Sequence, residues 1–149
     1  NFVRQKPHFL QNRKKKIPVS LPGFTATLET ALALNLKTGL ASSSKMTTIE
    51  VIVDALKIKS YFHNLTSGDE VKNGKPAPDV FLLSANRMET APQHCLVIED
   101  TENGVRAAKN AGMFCVAIPC EATRFQKHEE ACLKLNSMEE LDLESLLNQ

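Results

Sequence analysis

Cys95-Leu96-Val97-Ile98-Glu99-Asp100-Thr101-Glu102-Asn103-Gly104 decides the fold. Four apolar residues, two of them β-branched, predict a short buried strand over 95–98. Two adjacent carboxylates and a threonine follow, and the pattern then turns helical over 103–111 until Gly112 supplies the glycine that commonly ends a helix. A further apolar run, 114–118, reads as the next strand. A strand, a helix and a strand in so few residues predict a right-handed crossover and a parallel sheet.

Upstream the alternation continues. Phe24, Leu28, Ala31 and Leu32 recur at helical spacing over 23–35, and 38–41 predicts a strand leading into three serines. Ile49, Ile52, Val53 and Leu56 mark a second helix, with Ser44 or Thr47 as its N-cap and its end by Lys59. A short strand is predicted over 61–66, and a helix from Pro78 through Val80, Phe81, Leu83, Ala85 and Met88. Weaker helical patterns cover 122–131 and 138–147. The fold class is therefore α/β, with helices on both faces of the sheet and ligands expected beyond the carboxyl ends of the strands.

The chain has 149 residues, 42% hydrophobic and 23% charged, which is enough for one packed domain and excludes the composition of a disordered chain. Net charge is +1, yet residues 1–16 hold six basic residues (Arg4, Lys6, Arg13, Lys14, Lys15, Lys16) and no acid. The remainder carries 12 basic against 17 acidic residues, or −5. The total gives no reason to expect nucleic acid as a partner. The charge run 13–16 reads as a solvated linker, with polyanion binding as the lesser alternative. No run of about 18–20 apolar residues suggests a membrane span and no secretory leader pattern is evident, so a cytoplasmic location is expected. Cys95, Cys115, Cys120 and Cys132 have neither metal-site spacing nor the density of a disulfide framework, and reduced thiols are expected.

Three polar clusters follow predicted strands. In Gly39-Leu40-Ala41-Ser42-Ser43-Ser44-Lys45, hydroxyl groups and backbone N–H groups at a strand mouth can hold a phosphate, though a plain loop and helix cap would use the same residues. In Lys72-Asn73-Gly74-Lys75-Pro76-Ala77-Pro78-Asp79, two prolines and a glycine would present Lys75 as a positioned cation, where a solvated turn is the alternative. Glu99 and Asp100, adjacent at a buried strand end, repel each other unless a cation sits there, and a hard divalent ion with oxygen ligands, Mg²⁺ before Ca²⁺, resolves that cost. Helix capping by Asp100 or Thr101, with Glu99 in solvent, is the other reading.

Together these segments resemble the haloacid dehalogenase superfamily, in its β-phosphoglucomutase-like branch of phosphatases and phosphomutases. The resemblance runs from about residue 17 to 149 and includes Leu21-Pro22-Gly23, Leu40 to Ser44, Gly74 to Asp79, and Val97 to Thr101 followed by Gly104, Ala107-Ala108 and Ala111-Gly112. It implies a Rossmann-like core in which Ser42 and Lys75 are catalytic, Ser42, Ser43 and Lys75 bind the phosphoryl group, Ser44 and Lys45 face the substrate, and Glu99 and Asp100 hold Mg²⁺. The implied partner is a small phosphorylated metabolite, such as a sugar phosphate.

The family's first strand ends in Asp-x-Asp, whose first aspartate is the nucleophile, and no such motif occurs here. In the family that strand is central. Its absence predicts a sheet split between the strands ending at Ser42 and Glu99. The helical cap that follows it is also expected to be missing, with residues 1–16 a linker or the remnant of a last cap helix and 17–149 an incomplete core. Two readings follow: the C-terminal part of a Mg²⁺-dependent phosphohydrolase, or a phosphate-binding or partner-binding module without catalysis.

Overall fold

The computed structural model describes residues 2–4 and 21–148. Its strands are β1 (Phe2–Arg4), β2 (Thr38–Ser42), β3 (Asn64–Ser67), β4 (Leu96–Glu99), β5 (Phe114–Ala117) and β6 (Leu133–Lys134). Its α-helices are α1 (Phe24–Ala33), α2 (Met46–Ala55), α3 (Asp79–Arg87), α4 (Glu102–Asn110) and α5 (Leu143–Leu147). The strands form one sheet in the order β3-β2-β1-β4-β5-β6, every pair parallel.

Alternation of side chains along the strands sorts the core into two layers. Ala41, Val97, Cys115 and Ala117 pack with Val80, Phe81 and Ala85 of α3 and Val105, Ala107 and Ala108 of α4. Their neighbours Leu40, Ile98 and Val116 face the other way, against Phe24 and Leu28 of α1, Ile49 and Val53 of α2 and Leu143 of α5. Full burial of a side chain such as Leu28 or Phe81 contributes about 1.5–3 kcal/mol. Near-continuous apolar strands are what a sheet covered on both faces requires.

The expected division of the sheet is not found. Phe2–Arg4 lies between β2 and β4, with Phe2 level with Thr38 and Leu96, Val3 with Gly39 and Val97, and Arg4 with Leu40 and Ile98. The physical reason is that, without a strand between them, the facing edges of β2 and β4 would leave backbone N–H and C=O groups without partners. Three residues of the segment expected as linker or cap remnant are thus strand, and residues 5–20, including the basic run, lie outside the described residues. The strand position is filled, but by Phe-Val-Arg, which brings no carboxylate.

Other differences are local. The predicted helix over 122–131 is a series of turns, and β6 follows it at the sheet edge. The 138–147 pattern splits into a 3₁₀ turn, Met138–Glu140, and α5. Neither Ser44 nor Thr47 caps α2; Lys45 occupies that position without a side-chain bond. Gly112 ends α4 at φ +71°, as its place in the sequence predicts.

Candidate active site

The acidic pair sits where β4 meets α4. Glu99 is 2% exposed and points to the α3/α4 face, where Lys75 meets it with Nζ 2.6 Å from Oε1. The other carboxylate oxygen accepts from the backbone N–H groups of Asp100 (3.0 Å) and Thr101 (3.1 Å) and from Thr101 Oγ1 (3.1 Å). Four donors converge on one carboxylate, which is how a buried charge is tolerated. The cation that the adjacent carboxylates call for is, at Glu99, a lysine.

Gly104 makes this arrangement possible. A Cβ at that position would lie 1.9 Å from Glu99 Cδ, so only glycine lets the first turn of α4 close over the carboxylate. Thr101 caps the helix, its Oγ1 accepting from Gly104 N at 3.1 Å. Of the two capping candidates the threonine is used, and Glu99 is buried instead of solvated.

Lys75 is equally enclosed, with 4% of its side chain exposed. Its ammonium stands 4.1 Å from the centroid of the Phe81 ring, a cation–π contact from the third residue of α3. Burial draws the Lys75 pKa below the ordinary lysine value, and the Glu99 charge and hydrogen bond pull it back up. The Lys75–Pro76 peptide bond is cis. Phe81 thus lines the candidate site, where its sequence pattern marks only a helix.

Asp100 is half-buried, with Oδ2 3.6 Å from Cys120 Sγ. Its backbone carbonyl is bonded to Nε2 of His128 at 2.9 Å. The side chain of Gln126 accepts from Glu102 N at 2.8 Å. The segment after β5 therefore holds the acidic turn from outside, a role that no pattern in 119–131 announced. Among the described residues no group of three His, Cys, Asp or Glu side chains forms a metal site. Mg²⁺ takes one or two carboxylates from a protein, with waters and substrate oxygens for the rest. Glu99 and Asp100 fit that share, with Asp100 the better placed because the oxygens of Glu99 already accept four bonds.

Ser42 ends β2, fully buried, and its Oγ accepts from Ser44 N at 3.1 Å. Ser43 and Lys45 are exposed and Ser44 is half-buried. The loop is held from behind by Gly68, whose N–H donates to the Ser44 carbonyl at 3.1 Å and whose Cα passes so close that a Cβ would lie 2.6 Å from the Ser43 carbonyl. Lys75, Glu99 and Asp100 come together at the end of β4, while Ser42 to Lys45 stand two strands away at the end of β2. Between them is β1, whose last described residue, Arg4, is level with Ile98.

A family model described as haloacid dehalogenase-like hydrolase matches residues 4–118. The chain belongs to this family. It is similar to β-phosphoglucomutase of Bacillus subtilis, 40% identical over 66% of this chain and 42% of the relative. It is also similar to fructose-1-phosphate phosphatase YqaB of Escherichia coli, 39% identical over 53% of this chain and 42% of the relative. Among solved structures, β-phosphoglucomutase of Clostridium difficile superposes with a TM-score of 0.77 and 31% identity, covering 87% of this chain and 55% of that one. The chain spans about half the length of the curated relatives it matches. Relatives of this haloacid dehalogenase-like chain are thus phosphatases and phosphomutases, in agreement with the branch its motifs resemble.

Proposed function

We propose that this chain is the C-terminal part of a Mg²⁺-dependent phosphohydrolase, a phosphatase or phosphomutase, acting on a small phosphorylated metabolite such as a sugar phosphate. The observation that carries the reading is the enclosed Lys75–Glu99 pair at the carboxyl edge of a parallel sheet. An ammonium has three N–H donors. One is directed at Glu99 and the Phe81 ring faces the group from another side, which leaves a donor for a phosphoryl oxygen.

In this reading Ser42 and the Ser43 backbone bind the phosphoryl group from β2, and Lys75 neutralises it from the β4 side. Phosphoryl transfer depends chiefly on such positioning and charge stabilisation. Asp100, with Glu99 beside it, would hold Mg²⁺, which supplies charge neutralisation on the transferring group when bound. Ser44 and Lys45, on the open side of the β2 loop, face the rest of the substrate. The nucleophilic carboxylate lies outside these 149 residues.

A second reading, a binding module without catalysis, has one observation in its favour: the central strand position is held by Phe-Val-Arg, which carries no acid. The isolated chain should not turn over p-nitrophenyl phosphate with Mg²⁺ under either reading. Inorganic phosphate with Mg²⁺ should shift the Ser42, Ser43 and Ser44 amide resonances under the first reading and for a phosphate-binding module, with the shift lost in a Lys75→Met variant, whereas a module that only binds a partner protein should show no shift. Turnover after a nucleophile-bearing strand is supplied separates the enzyme from either module. Robust turnover by the isolated chain, abolished by Lys75→Ala, would overturn both.

A further inference from the structure

Cys115 and Cys132 face each other across the last strand pair of the sheet. Cys115 is the second residue of β5, and Cys132 immediately precedes β6. The Cys132 N–H donates to the Cys115 carbonyl at 2.8 Å, and the Cys115 N–H donates to Cys132 Sγ at 3.4 Å. Val116 and Leu133, the next residues of each, are paired in register. Strands bonded in this way run about 4.8 Å apart, inside the span of roughly 4.4–6.8 Å between Cα atoms that a disulfide bridges.

The two thiols differ in access. Cys132 is exposed and Cys115 is buried. Burial, followed by the nearby Glu99 charge, pushes the Cys115 thiol up to about 12, so it remains protonated and does not meet an oxidant first. Cys132 stands at the outer edge of the sheet, one residue before the two-residue β6.

We propose that Cys115 and Cys132 are a redox-reactive pair that closes to a disulfide when the exposed Cys132 meets a hydroperoxide. The Cys132 thiolate attacks one peroxide oxygen; the O–O bond breaks, the alkoxide (hydroxide for hydrogen peroxide) leaves and takes up the thiol's proton. Cys132 is then a sulfenic acid. The Cys115 sulfur attacks the Cys132 sulfur, the S–O bond breaks, and hydroxide leaves with the Cys115 proton as water. Two thiols are oxidised by two electrons and one peroxide is reduced. The bridge closes 116–131, the segment whose Cys120, Gln126 and His128 support Asp100 and Glu102. Oxidation therefore clamps one wall of the acidic turn, and the proposal requires no phosphatase activity.

The test treats the full chain with hydrogen peroxide, alkylates it with iodoacetamide in denaturant, and digests it with trypsin without reductant. The expected product joins peptide 110–124 to peptide 128–134 with the loss of two hydrogens, and fragment ions place the link on Cys115. It should persist in Cys120→Ser, vanish in the surface variant Cys132→Ser, and reverse with dithiothreitol. The oxidised chain should also unfold at a higher temperature than the reduced one. Cys132 recovered as a sulfinic acid or an intermolecular disulfide with Cys115 alkylated, or a bridge to Cys95 or Cys120, would overturn the proposal.

Discussion

Lys75 Nζ stands 2.6 Å from Glu99 Oε1 with 4% and 0% of the two side chains exposed. The relationship links sequence positions 24 apart and ties the loop before α3 to the end of β4. Both charges have been taken from water, so each depends on the other. Removing one partner leaves an uncompensated buried charge. Lys75→Met should destabilise the chain by about 3–5 kcal/mol, and Lys75→Met with Glu99→Gln should recover much of that. Urea unfolding of the two variants measures it, and equal stability of single and double variants would show that the pair is not coupled.

Gly104→Ala tests the packing around the same carboxylate. The added methyl would lie 1.9 Å from Glu99 Cδ and 2.1 Å from its Oε1, neither of which can retreat without giving up hydrogen bonds. A loss of about 3 kcal/mol or more is expected, well beyond what a helical Gly→Ala change costs in propensity, which would by itself be favourable. A thermal melt at or above that of the parent chain would refute the cradle.

The β3 end carries its own ion pair. Arg87 Nη2 lies 2.6 Å from Glu70 Oε1, and Glu70 Oε2 accepts from Ser67 N at 2.8 Å. Hydrogen bonding to Arg87, then to the Ser67 backbone, lowers the Glu70 pKa to about 2. A carboxylate lowered in the folded state contributes stability above its unfolded value of about 4.5, and that contribution fades as pH falls toward 2. Since the pair is about one-third exposed, solvent screening leaves about 1 kcal/mol. Arg87→Ala should therefore cost about that much at pH 7, and the gap to the parent chain should shrink steadily between pH 4.5 and pH 2. A gap independent of pH would mean that Arg87 acts through packing alone.

The α/β fold, with helices on both faces of its sheet, was legible in the sequence because its strands are apolar on both faces and its helices repeat their apolar residues at the right spacing. Cys95 to Ile98 and Phe114 to Ile118 needed nothing else. The candidate site residues stood out in the sequence because glycines, prolines and paired carboxylates sit beyond strand ends. What escaped has physical reasons. β1 is three residues, too short for a period, and it exists because two neighbouring strands need a partner. Likewise β6 has two residues, fixed by the edge of β5. Turns replace a helix after residue 121 because Cys120, Thr123, Gln126 and His128 bond to one another and to the acidic turn, contacts no local pattern encodes. Phe81 looked like an ordinary core residue, since only the folded loop brings Lys75 over its ring.

In the proposed reading this chain carries the phosphoryl- and Mg²⁺-binding half of a haloacid dehalogenase-like core and needs only a nucleophile supplied on the central strand. The direct measurement is p-nitrophenyl phosphate turnover, with and without Mg²⁺, by a chimera. In it, residues 1–20 are replaced by the part of the Bacillus subtilis β-phosphoglucomutase that precedes its matched region. The chimera should show Mg²⁺-dependent turnover that falls about 100-fold or more in Lys75→Ala. A chimera that unfolds cooperatively yet shows no turnover, or turnover indifferent to Lys75→Ala, would contradict it.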